Sequence, residues 1–122
     1  MRALALLLAA PLLLASTTRE EHAAALSGEW RVDLRVSLDD EPYSQPMILA
    51  VSEDGVVTGN FYNSEILAGR AGGGQGRTCI AFRTTDGSGF YHSSACLVDG
   101  RMIGQTWAED REFVLPWTAE RR

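Results

Sequence analysis

Cysteine and histidine are scarce in this chain, with two of each in 122 residues. It has no H-E-x-x-H, no C-x-x-C and no EF-hand loop, so the usual zinc and calcium sites lack their ligands. The G-x-S-x-G elbow of a serine hydrolase is absent too. No basic cluster interrupts a net charge of −5. An acidic surface repels phosphate backbones, so nucleic acid is not an expected partner. The run 72–78 is glycine-rich but lacks the lysine and the glycine spacing of a phosphate loop. Asp86 and His92 lie near Ser88, Ser93 and Ser94, in what reads as an ordinary hairpin. None of the sixteen acidic residues stands in a context that marks a glycosidase pair. These absences argue against an enzyme, with no catalytic residue, no metal and no cofactor expected. What remains is an ordinary globular composition, 45% hydrophobic and 22% charged, sized for one domain. The twelve glycines are spread along the chain, as tight turns require.

The chain opens with Met1-Arg2 and an apolar run from Ala3 to Ala15. One positive charge followed by such a run is the pattern of a secretory signal peptide, and the run is too short to span a bilayer. The nearest small-residue stretch, Ala15-Ser16-Thr17, assigns residues 1–17 to the signal. Ala23-Ala24-Ala25 fits the cleavage pattern better but lies far from the apolar run. Cutting near Thr17 removes Arg2 and no acidic residue, making the mature chain more acidic. No cysteine follows to carry a lipid, so no membrane anchor is expected after cleavage. The expected location is the periplasm or the extracellular space. Residues 18–26 form a short helix or an extended arm, with Thr18 and Glu21 at capping-box spacing.

From Gly28 onward the hydrophobic period is two, the period of strands. Trp30, Val32, Leu34, Val36 and Leu38 alternate with Glu29, Arg31, Asp33, Arg35 and Ser37. This first strand ends at Asp39-Asp40-Glu41-Pro42. Further strands are expected at 47–52, 56–62, 65–71, 77–84, 90–98, 101–107 and 111–119, with a glycine loop at 72–76. Asp-Gly, the strongest short hairpin signal, occurs three times. The spacing leaves no room for a crossover helix, so pairing is antiparallel. Closing eight such strands removes both sheet edges. The expected fold is all-β: a single eight-stranded antiparallel up-and-down barrel over 27–119, with a tail at 120–122.

Export favours a disulfide between Cys79 and Cys96. A hairpin centred between Gly87 and Ser88 faces Cys79 with Cys96, Ala81 with Ser94, and Arg83 with His92. Directly opposed residues stand within disulfide reach. The same register turns Ile80, Phe82, Tyr91, Ala95 and Leu97 inward, and Cys79, Arg83, His92 and Cys96 outward. Val57, Gly59 and Phe61 share a face, as do Phe113, Leu115, Trp117 and Ala119, whose parity continues to Arg121.

Gly28-x-Trp30 at the start of the first strand resembles the G-x-W signature of calycin barrels, the group of lipocalins, avidins and small bacterial metalloprotease inhibitors. The resemblance implies that Trp30 closes one barrel end beneath a basic residue of the last strand, a role for which Arg121 has the parity. The alternative is that Arg121 is a solvated terminus. The segment Ala25-Leu26-Ser27-Gly28-Glu29-Trp30 is similar to the start of the metalloprotease inhibitors, in which an N-terminal arm enters the protease cleft. The cysteines lie later here than in that family.

The ends of the third and seventh strands fall on one rim, also reached by Pro42 and Tyr43. Asn60, Tyr62, Tyr91, Gln105 and Trp107 are the candidate ligand-binding residues there. Aromatic rings supply area with a polar tip, and amides orient a ligand. Inward-pointing Gln105 and Trp107 would support this site, and outward-pointing ones would count against it. Three functional readings stay open: an exported non-enzymatic barrel for a small molecule, a protease inhibitor acting through 18–26, and a filled structural or interaction barrel. The oligomeric state is not legible.

Overall fold

The computed structural model describes residues 18–122. The expected signal peptide, 1–17, lies outside the described residues. Among the described residues one helix, α1 (Arg19–Leu26), precedes the strands β1 (Gly28–Asp33), β2 (Ser44–Val51), β3 (Val56–Phe61), β4 (Ser64–Glu65), β5 (Leu67–Gly74), β6 (Arg77–Thr85), β7 (Phe90–Val98), β8 (Arg101–Ala108) and β9 (Phe113–Arg121). Strands adjacent in sequence pair antiparallel, and β1 pairs with β9, so the sheet closes on itself. Both β4 and β5 pair with β3, forming one wall strand bent by a bulge between Leu67 and Arg70. The result is a closed eight-stranded up-and-down barrel.

The β6–β7 hairpin has the expected register. Cys79 faces Cys96, Ala81 faces Ser94, Arg83 faces His92, and the disulfide is formed. Inward parity builds the core from Trp30, Val32, Met47, Leu49, Val57, Phe61, Ile80, Phe82, Ala95, Met102, Trp117 and Ala119. Phe61 stands edge-on to Phe82, with centroids 5.9 Å apart, and tilts against Trp117 at 5.8 Å.

Three expectations about elements are corrected. The first strand stops at Asp33 rather than running to Leu38. Asp33 accepts hydrogen bonds from the Arg35 backbone N–H and from its guanidinium, a local turn that competes with the ladder. Val36 and Leu38 are left 86% and 82% exposed on the loop beyond. The glycines at 72–74 belong to β5, paired with Cys79, Thr78 and Arg77. Only Gln75 and Gly76, with φ of 52° and 74°, form the turn. The last strand begins at Phe113, because Arg111 and Glu112 are spent in the turn, Glu112 at φ 56°, and it runs on to Arg121.

One end of the barrel is sealed. Helix α1 is opened by a complete Thr18–Glu21 capping box and lies across that end, with Leu26 fully buried. The Trp30 indole N–H donates to the Leu26 carbonyl at 2.9 Å, and His22 Nδ1 lies 2.6 Å from Thr78 Oγ1. The Arg121 guanidinium sits 4.6 Å over the Trp30 ring and donates to the carbonyls of Ala24, Ala25 and Ser27. Arg121 is therefore a latch between the last strand, the helix and Trp30, not a solvated terminus.

Candidate functional site

The opposite end is open. There the end of β1, the start of β2, the end of β3, the ends of β6 and β8 and the starts of β7 and β9 surround a cavity of about 720 Å³. That size accommodates a drug-sized molecule. Its wall is mainly apolar, contributed by Leu34, Val36, Phe61, Phe113, Val114 and Leu115. Tyr43, Tyr62 and Tyr91 ring the mouth, with Asp86 and Arg111 at its edge and Thr84 and Thr106 deeper in. A smaller hollow of about 170 Å³ shares Tyr91 and Arg111 with it.

Local structure places each polar group. Asp86 opens the β6–β7 turn and accepts the Ser88 backbone N–H at 2.9 Å, an Asx-type turn. Its other oxygen accepts the Tyr91 hydroxyl at 2.8 Å and lies 3.5 Å from Arg111. The Ser88 N–H, the Tyr91 hydroxyl and the Arg111 charge hold the Asp86 carboxyl below its usual range. Tyr91, donating to that carboxylate, is pushed up. Across the mouth the Tyr43 and Tyr62 hydroxyls hydrogen-bond, which raises the Tyr62 pKa, and their rings meet edge-on at 6.4 Å. At the bottom Thr106 Oγ1 accepts from Trp117 Nε1 at 2.9 Å and lies 2.8 Å from Ser93 Oγ.

The structure divides the five candidate residues. Tyr62 and Tyr91 line the mouth. Asn60, Gln105 and Trp107 do not, and here the expectation is corrected. On β8 the inward positions are Met102, Thr106 and Ala108, all buried, so parity turns Gln105 and the 40% exposed Trp107 to the outer wall. On β3 the inward residues are Val57 and Phe61, which turns Asn60 outward. Gln105 and Trp107 thus both point outward, the outcome expected to count against the site as placed on these five residues. Sequence reasoning missed Thr84, Thr106, Arg111, Phe113 and Leu115 as mouth residues. A usable signal existed: Thr84 and Thr106 carry the parity of Phe82 and Met102, so they are polar residues on inward faces.

Segment 18–26 is not an extended arm, since Arg19–Leu26 is helical and docked on the sealed end. Among the described residues no group of three or more histidine, cysteine or acidic side chains is gathered as metal ligands. Compared with family models, with curated proteins and with solved structures, the chain matches none.

Proposed function

We propose that this protein is an exported, non-enzymatic barrel that binds one small, largely apolar molecule in its open mouth. The observation that carries the reading is the 720 Å³ cavity above a filled core, walled by aliphatic and aromatic side chains and ringed by three tyrosines. Val36 and Leu38 add an exposed apolar lip on the loop beside it. Export is supported by the leader-like opening residues and by the Cys79–Cys96 bond. Gly28-x-Trp30 beneath Arg121 supports a place among calycin-like barrels. Docking of α1 on the sealed end supports the carrier over an inhibitor working through a free arm.

Native mass spectrometry tests the reading on protein recovered from an oxidising compartment. A reproducible added mass is expected, lost on denaturation. Adding that molecule back should shift the resonances of Tyr62, Tyr91 and Phe113 and leave those of α1 unmoved. A clean protein mass, together with no shift from a panel of apolar molecules, overturns the proposal.

A further inference from the structure

We propose that the mouth takes a neutral, carbonyl-bearing apolar molecule, with its carbonyl oxygen directed down onto Thr106. The inference rests on the mouth being the binding site and adds the polarity of its occupant. Thr106 is 7% exposed and lines the cavity. Its oxygen accepts from the Trp117 indole N–H, which can only donate. The Ser93–Thr106 pair holds two hydroxyl protons, and one lies in the bond between them. Ser93 is 3% exposed and is not part of the cavity wall. A leftover proton on Ser93 would be sealed in without an acceptor, which folded proteins avoid. Ser93 therefore donates to Thr106. Both lone pairs of Thr106 are then occupied, and its own proton remains for the cavity. At this position the protein can only give a hydrogen bond.

Thr84, 5% exposed, has a hydroxyl with no hydrogen-bond partner among the described residues. No sealed side-chain polar atom lacks a partner among those residues. The Thr84 hydroxyl is therefore open to the cavity it lines. The charged groups, Arg111 and Asp86, both lie at the exposed edge. A carboxylate carried to the bottom would lose its water for two neutral hydroxyls, a poor exchange for a charge. An ammonium there would find no acceptor on Thr106. A neutral carbonyl fits both constraints, and the apolar wall takes the rest of the molecule.

The test uses three fluorescent probes with one aromatic body. They are an acyl-dimethylaminonaphthalene, its acyl-free parent and the matching naphthoate. Emission of the ketone moves to the red when its carbonyl accepts hydrogen bonds. The ketone is expected to bind about fivefold tighter than the parent, with red-shifted emission, as one modest hydrogen bond implies. Thr106→Val should abolish that preference and move the emission to the blue, while Thr106→Ser keeps both. Equal binding of ketone and parent, tighter binding of the naphthoate, or a Thr106→Val variant that behaves as wild type overturns the carbonyl assignment and leaves the mouth as a site. If none of the three binds, the mouth reading fails and this inference with it.

Discussion

Tyr62 carries a left-handed backbone, φ 53°, in the two-residue turn between β3 and β4, followed by Asn63 at φ 62°. A bulky side chain in that region costs about 1–2 kcal/mol, and asparagine tolerates it better. Tyr62→Asn is therefore expected to raise stability by up to about 1 kcal/mol in urea unfolding while weakening ketone-probe binding. A variant that loses stability would show that the ring holds the fold rather than the mouth. Asp86 makes a prediction in pH. Its carboxyl titrates below the ordinary 3.8 in the folded protein. A depressed value means its contribution is complete above the unfolded pKa and fades as pH falls through the folded one. The Asp86 share of stability in urea unfolding should thus stay level down to about pH 5 and fade below about pH 4; Asp86→Asn should remove that acid step. The parity of the hairpin was legible at this scale, because disulfide and core alternate without exception between Cys79 and Phe82. Tyr62 and Tyr91 were legible at the mouth; Thr84 and Thr106 were not, because a threonine on an inward face looks the same in sequence whether it is capped by a neighbour or left for a ligand.

The Arg121 side chain ties helix α1 to β9. Arg121 joins three carbonyls near the helix end to the face of Trp30. Arg121→Met keeps the length of the side chain and removes the charge. It should cost about 1–3 kcal/mol, with faster amide hydrogen exchange in α1 and unchanged probe affinity. Exchange spreading to the rim would show the two ends to be coupled. The β2–β3 pairing depends on Gly59, at φ 132°, where an added Cβ would collide with the Ile48 carbonyl oxygen. Gly59→Ala should cost about 2–4 kcal/mol, measured by thermal unfolding. Turn chemistry made most strand ends readable. It misled at β1, where hydrophobic alternation continues for several residues after Asp33 and Arg35 have closed a turn. It misled again at 72–74, where glycines pair in the ladder instead of looping.

The closed ring was legible from strand count and the absence of crossovers, because an open meander would expose two edges. What fills the ring was not, since filling depends on three-dimensional volumes that a one-dimensional pattern does not carry. The disulfide ties neighbouring wall strands on the outside of the barrel, across a separation of 17 residues. Replacing both cysteines by serine should lower stability by about 2–4 kcal/mol and leave the mouth's probe affinity intact; a loss of affinity would place the bond in the binding machinery. The β1–β9 seam has a different consequence. Arg121 and Ser27 touch although they stand 94 positions apart. Among the described residues every other ladder pairing joins wall strands adjacent along the chain, so most of the sheet can zip by local steps. The seam cannot. Its closure spans the longest loop of the wall, so it is expected to follow the local hairpins. A chain made from its N-terminus has no β9 to pair with β1 until its final strand arrives, so that edge of the sheet stays bare until then. That interval is when it is most exposed to aggregation and most in need of a chaperone.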